Sequence, residues 1–422
     1  MSFGALTYTG IRPRPAYKRK IYGYAKKHIE RLLYLGCTRD YEKTYLWLPE
    51  DRSFLVKILL QGPSGVGKSI TMRNIVEELF REWKKSRGEW KHPIFIFDWK
   101  GNYLGFDKPN FKPRDMWLFE NIHGIKKRLA IPRQCINVYA PAYIAPVTNK
   151  EIKQRILAEQ SEKWDVKDFW GVPWRQIIDL AHLGKVLKVP SEALWAEELR
   201  PPFEKAAIDP TMTLKKLIGT NGFLTKAAKN IRNSQSRAAA LDFVNRWRKN
   251  RWWFSDKCKL ARHLYDSFSV NVLTFVEVAE KTYFNQLAFL IALESIMTTL
   301  QELKIECQPV IVIHDILNWI GEGKPFRNEI IDTLVRLFTG QGRSLTHGYI
   351  LIIETQSLDR MPKPLDNPKE YTISIMLKWK SQCPSLRSIP GFIGGVCDFH
   401  DNYRSFHRRS VIIRPPYTDY QT

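Results

Sequence analysis

Apolar runs that end at polar punctuation alternate along this chain with stretches of helical period. Phe54 to Leu60 is apolar and rich in β-formers and runs into a glycine-rich turn. From Ser69 to Lys85 the apolar positions Ile70, Met72, Ile75, Val76, Leu79 and Phe80 recur at helical spacing, so the pattern predicts strand, loop, helix. Ile94 to Phe97 is a short continuous apolar run ending at Asp98, as a strand buried on both faces would be. Ile136 to Tyr139 and Val270 to Phe275 read the same way. Strands resume at Pro309 to Ile313 and Gly348 to Ile353, with an amphipathic helix over Asn328 to Phe338 between them, and a last β-rich stretch covers Thr372 to Lys378. Such alternation predicts an α/β fold with a doubly wound, mostly parallel sheet.

Residues 145–262 break the alternation. They show no convincing strand, several helical stretches and many Trp, Lys and Arg residues, which predicts a helical insertion dividing the core into residues 35–144 and 263–422. Residues 1–34 form a basic, aromatic arm with Arg12, Arg14, Lys18, Arg19 and Lys20 among prolines and tyrosines. The most apolar window, Phe284 to Leu300, is interrupted by Asn285, Gln286 and Glu294 and reads as a buried helix, not a membrane span. The N-terminus has no apolar segment of the secretory kind, so a soluble, cytoplasmic protein is expected. Six scattered cysteines without a Cys-x-x-Cys pair argue against zinc and against a disulfide framework.

Charge changes the picture. With 66 Lys+Arg against 43 Asp+Glu the 422-residue chain carries +23, which favours a polyanionic partner. Two clusters are candidates to follow a phosphate backbone: Arg81, Lys84, Lys85, Arg87 and Lys91, and Arg232, Arg237, Arg246, Arg248, Lys249 and Arg251. Trp247, Trp252 and Trp253 interleave with the second, and core packing is the favoured role for them over base stacking.

The segment Gly62-Pro63-Ser64-Gly65-Val66-Gly67-Lys68-Ser69 fits G-x-x-x-x-G-K-[ST] and lies between a predicted strand and a predicted helix, as that phosphate-binding loop requires. Its glycines let backbone N–H groups close on phosphate oxygens, Lys68 reaches the β/γ-phosphates of ATP, and the Ser69 hydroxyl ligates Mg²⁺. A second acid is expected on a neighbouring strand, and Val310-Ile311-Val312-Ile313-His314-Asp315 offers one. Two registers are open. Either Asp315 is the Mg²⁺ acid, the favoured reading because imidazole suits Mg²⁺ poorly, or His314 holds the first place and Asp315 the second. Glu354 and Asp98 are the candidates to orient the attacking water.

The order of these motifs resembles the FtsK/HerA ATPases. Phe97-Asp98-Trp99-Lys100-Gly101-Asn102-Tyr103 is similar to the turn that follows their first core strand after the P-loop. Gly342-Arg343-Ser344, then Tyr349 to Ile353 followed by Glu354-Thr355-Gln356, is similar to their Gly-Arg step and Thr-Gln strand. Gly394-Gly395 with Ser410 to Pro416 looks like the closing strand of HerA-type proteins. The resemblance runs from about Leu35 to the C-terminus. It implies a RecA-like P-loop NTPase core, a γ-phosphate-sensing role for Gln356, a subunit-boundary position for Arg343, and a homo-oligomeric ring, a hexamer by analogy. Three features depart from the pattern: Asn102 in place of Glu, His314-Asp315 in place of Asp-Glu, and only 61 residues before the P-loop, too few for a full N-terminal barrel. The expectation is therefore a minimal ATP-driven DNA translocase, serving genome packaging, conjugative transfer or DNA processing, that grips DNA non-specifically through its backbone. The alternative is an ATP-binding, DNA-binding assembly protein with weak or no hydrolysis. A metabolic kinase would explain neither the charge nor the Arg343/Gln356 arrangement.

Overall fold

The computed structural model describes residues 31–49, 51–99, 103, 105–125, 129–141, 168–177, 179–189, 194–256, 260–275, 282–302, 307–341, 348–383, 396–402 and 404–418. In chain order the elements are β1 (Leu32–Cys37), β2 (Lys43–Trp47), β3 (Val56–Gln61), α1 (Lys68–Lys85), β4 (His92–Asp98), α2 (Pro113–Asn121) and β5 (Ile136–Pro141). There follow β6 (Asp168–Trp170), β7 (Val172–Pro173), α3 (Leu180–Val186), α4 (Leu194–Ile208), α5 (Leu214–Ile218), α6 (Phe223–Lys229), α7 (Ser234–Lys249) and β8 (Phe254–Ser255). The chain closes with β9 (Phe268–Thr274), α8 (Thr282–Glu302), β10 (Val310–Ile313), α9 (Leu317–Ile320), α10 (Arg327–Thr339), β11 (Ile350–Thr355), β12 (Ile373–Lys378), β13 (Val396–Asp401) and β14 (Phe406–Ile413).

Among the described residues, twelve strands make one sheet in the order β2-β1-β14-β13-β12-β3-β11-β10-β4-β9-β5-β6. From β12 to β6 every pairing is parallel, and the flank from β13 to β2 is antiparallel. The parallel strands are continuous apolar runs because both faces are covered. Val56, Ile58, Leu60, Val310, Val312, Ile350 and Ile352 pack with the apolar side of α1. Leu59, Ile311, Ile313, Leu351 and Ile353 face the opposite layer with residues of α8, α10 and the insertion. Among the described residues no helix is long and apolar enough to cross a membrane.

The insertion is helical over α3 to α7, but the expectation that it lacks strands is corrected. β6 extends the main sheet beside β5, and β7 pairs β8 across the whole insertion. Strands of two or three residues carry no readable period, and their pairing is settled by partners far away in sequence. Trp174 and Trp247 are fully buried and serve packing, with Trp247 against Phe203, Phe243 and Phe254. At the other end, β1 begins at Leu32 and Arg31 is buried, so the sheet starts inside what the sequence reads as the arm. Residues 1–30 lie outside the described residues.

Candidate nucleotide site

The loop after β3 turns where side chains would obstruct it. A Cβ on Gly62 would come within 2.6 Å of the Leu377 carbonyl oxygen. Gly65 and Gly67 have φ of 80° and 102°, left-handed values that favour glycine. Gly67 is the N-cap of α1 and supplies no side-chain cap, which leaves the first N–H groups of the helix for a phosphate and its dipole aimed at one. Pro63, Ser64 and Gly65 are exposed, whereas Val66 anchors the loop in the core. Lys68 is buried, its Nζ donating to the carbonyls of Gly62 and Pro63 at 2.9 Å each. The ammonium is thereby held within the loop whose ligand it would neutralise.

Strand register brings the other polar residues together. Ile313 of β10 is level with Phe97 of β4 and with Ile353 of β11, so the residues that follow, His314, Asp98 and Glu354, emerge side by side at the carboxyl edge. All three are buried. His314 Nδ1 lies 2.9 Å from Asp98 Oδ1, and its Nε2 is 3.8 Å from Glu354 Oε1. Burial alone would lower the His314 pKa, but the Glu354, Asp98 and Asp315 carboxylates outweigh it and the pKa is raised, favouring imidazolium. Tyr103 closes the cluster. Its N–H donates to Asp98 Oδ2 at 3.0 Å, its hydroxyl donates to Glu354 Oε2 at 2.8 Å, and its ring stands edge-on to the His314 imidazole. Burial, then the Glu354 charge, pushes the phenol well above its usual range, and the nearby Ser69 hydroxyl offsets part of that rise.

Asp315 points elsewhere. It sits at φ 49°, a sparsely populated conformation of the sort that occurs where function demands it. Its Oδ2 accepts from Gln356 Nε2 at 3.2 Å. Asp315 and Gln356 are therefore neighbours, as are Asp98, His314, Glu354 and Tyr103, with Ser69 joining the second group to the P-loop. The acidic strand is not adjacent to β3: β11 lies between them, so the carboxylate on the strand next to the P-loop strand is Glu354. Arg343, Lys100, Gly101, Asn102 and Gly394-Gly395 lie outside the described residues. Tyr103 belongs to the Phe97–Tyr103 turn, but nothing in the sequence gives its phenol a role. No local signal marks it, since only the fold sets it between Ser69 and Glu354.

A strand, a glycine loop ending in Lys-Ser at a helix N-terminus, and an acidic cluster two strands along define a P-loop NTPase with a RecA-like parallel sheet. Residues 55–242 match the family described as "Helicase HerA, central domain", a stretch that takes in the P-loop, Asp98 and most of the insertion. Over that stretch, somewhat less than half of its length, the chain is similar to the central domain of the HerA helicases. Among solved structures it is similar to the bacterial conjugative coupling protein TrwBdeltaN70, at 12% identity over 81% of this chain and 72% of that one with a TM-score of 0.41. VirB4 of Thermoanaerobacter pseudethanolicus is similar at 12% identity over 90% and 96%, TM-score 0.47. TrwB in complex with ADP and Mg2+ is similar at 12% identity over 87% and 80%, TM-score 0.40. None of these likenesses is close enough to bear on function. No curated protein matches the chain.

Proposed function

We propose that the chain is an ATP-driven DNA translocase working as a homo-oligomeric ring. The observation that supports it most is the joining of the Ser69–Tyr103–Glu354–His314–Asp98 cluster to a complete P-loop, in a protein of net charge +23. The P-loop N–H groups and Lys68 bind and orient the phosphates. An oxygen donor set of the Ser69 hydroxyl with nearby carboxylates suits a hard cation, whereas the His314 imidazole does not. Bound Mg²⁺ would neutralise charge on the β- and γ-phosphates.

Because His314 turns into the Asp98/Glu354 pocket and Asp315 turns to Gln356, the geometry favours the second register. In it, Asp315 and Gln356 face the γ-phosphate side and orient the attacking water, and Asp315 accepts its proton. Arg343 is proposed to reach the nucleotide of the next subunit. Of the basic residues, Arg232, Arg237, Lys249 and Arg251 are exposed on the insertion and Lys84, Lys85 and Arg87 at the end of α1, available to a DNA backbone. Arg81 is instead bound to Glu78 and Tyr417, and Arg246 pairs with Asp242.

The deciding experiment is Mg²⁺-dependent ATP turnover with and without DNA. Stimulation of several-fold by DNA of arbitrary sequence is expected. Nucleotide binding with turnover that DNA leaves unchanged would favour the assembly-protein reading, which the histidine in the first acidic place supports.

A further inference from the structure

With a histidine at the end of β10, no carboxylate stands in the first place after that strand, and the next residue, Asp315, is turned by its positive φ toward Gln356. The Ser69 hydroxyl nonetheless has a carboxylate at hand. The Tyr103 hydroxyl lies near Ser69 and donates a hydrogen bond of 2.8 Å to Glu354, so one side-chain oxygen stands between the serine of the P-loop and the acid. A cation bound by a P-loop hydroxyl meets its outer carboxylate through one water, which is the same number of intervening oxygens. Glu354 is also the acid on the strand adjacent to β3, where Glu354 pairs with Leu60 and Thr355 with Gln61. The Gly62 N–H in turn donates to the Thr355 carbonyl at 3.2 Å. The acid is thus tied by backbone register to the P-loop itself.

We propose that Glu354, supplied by β11, replaces the missing acid of β10 as the carboxylate that holds the Mg²⁺ shell beside Ser69, and that the Tyr103 hydroxyl occupies the place of a cation-bound water until Mg²⁺ and nucleotide displace it. His314 is then a positioning residue. Held by Asp98 on one nitrogen and facing Glu354 with the other, it keeps the Glu354 carboxylate at the Ser69 side. The division of labour follows: Glu354 serves the cation, and Asp315 with Gln356 serves the water. This rests on the P-loop reading of the site.

The test uses Mn²⁺ in place of Mg²⁺ and ADP, with Mn²⁺ uptake by the full chain followed by electron paramagnetic resonance and metal-free ADP affinity measured separately. Glu354→Gln should weaken Mn²⁺ binding in the presence of ADP by about 10-fold or more, the usual cost of losing an outer-shell carboxylate, while metal-free ADP affinity stays within about threefold. Asp315→Asn should lose less than Glu354→Gln. A loss in Asp315→Asn equal to or greater than that in Glu354→Gln overturns the assignment. Tyr103→Phe removes one hydroxyl and keeps the ring, so it tests the displacement independently should Glu354→Gln fold poorly: Mn²⁺ affinity should rise severalfold, and an unchanged or weaker affinity overturns the displacement. A wild-type chain that binds ADP neither with nor without Mn²⁺ would instead refute the P-loop reading.

Discussion

Glu77 lies on α1, nine residues beyond the P-loop lysine, and is fully buried, as is Arg414 just after β14. Its carboxylate takes Arg414 Nη1 at 3.0 Å, the Tyr417 N–H at 2.9 Å, the Thr418 N–H at 2.9 Å and the Thr418 hydroxyl at 2.6 Å. Asn74 Nδ2 on the same helix donates to the Arg414 carbonyl at 2.6 Å. The C-terminal segment is thereby clipped to the helix that carries Lys68 and Ser69. Glu77→Ala would leave a guanidinium and two N–H groups buried, with only Glu78, 3.3 Å from Arg414 Nη2, as a remaining anion. Breaking a buried ion pair from one side costs about 3–5 kcal/mol. At about 2.1 cal/mol/K per residue the unfolding entropy of 422 residues is about 0.9 kcal/mol/K, so each kcal/mol moves the melting temperature by about 1 °C. The expected fall is therefore about 3–6 °C by calorimetry, against a change of about 0.5 °C or less for Lys84→Ala at an exposed position of the same helix. A Glu77→Ala shift below about 1 °C would refute the view that this clip holds the helix.

Lys68→Ala should lower ATP turnover at least about 100-fold with the fold intact, checked by steady-state hydrolysis and circular dichroism. DNA affinity, measured by fluorescence anisotropy across a salt series, should be non-specific and fall with a log–log slope of about −0.9 per phosphate neutralised. Arg343→Ala should bind ATP and hydrolyse it about 10³-fold or more slowly, and mixing it with Lys68→Ala chains should restore activity if the arginine acts across a subunit boundary. Burial, with smaller contributions from Arg414 and Lys43, pushes the His123 imidazole down to about 3. The unfolded chain takes up that proton below about 6.5, so the contribution is complete above that pH and is lost as pH falls toward 3, at up to about 1.4 kcal/mol per pH unit. His123→Gln should flatten the fall in melting temperature between pH 7 and pH 5, and an unchanged slope would count against it.

Much of the core was legible because its signals are local. Continuous apolar runs such as Val310 to Ile313 and Ile350 to Ile353 cannot be solvent-facing strands, and the P-loop is read from eight consecutive residues. The acidic residues of α1 were not legible in the same way. Glu77, Glu78 and Glu82 are charged helix residues and yet are buried. A tail more than 330 residues away covers the first two, and Arg31 and His92 cover the third at 2.8 Å each. Burial alone would raise the Glu82 carboxyl, but the His92 and Arg31 partners outweigh it and hold the group below its usual range. Period alone cannot report a covering that comes from the far end of the chain.

Asp98, His314 and Glu354 are each singled out in the sequence, but their meeting is not legible there, for a related reason. They are separated by more than 200 residues, between Asp98 and His314, and by 40 between His314 and Glu354, and only strand order joins them. Parallel pairing sets Ile313 level with Phe97 on one side and Ile353 on the other, and because side chains alternate across a sheet, a slip of one residue would send His314 to the opposite layer. The apolar residues that fix the register, Ile311 and Ile313 toward one layer and Val310 and Val312 toward the other, are thus also what aligns the chemistry. Exchanging a β-branched residue here for one of similar volume should leave the cluster in place, whereas a single-residue insertion before His314 should disperse it even if the strand still forms. That is why three separately named positions, a strand-end aspartate, a histidine and a strand-end glutamate, become one site only when the sheet is assembled.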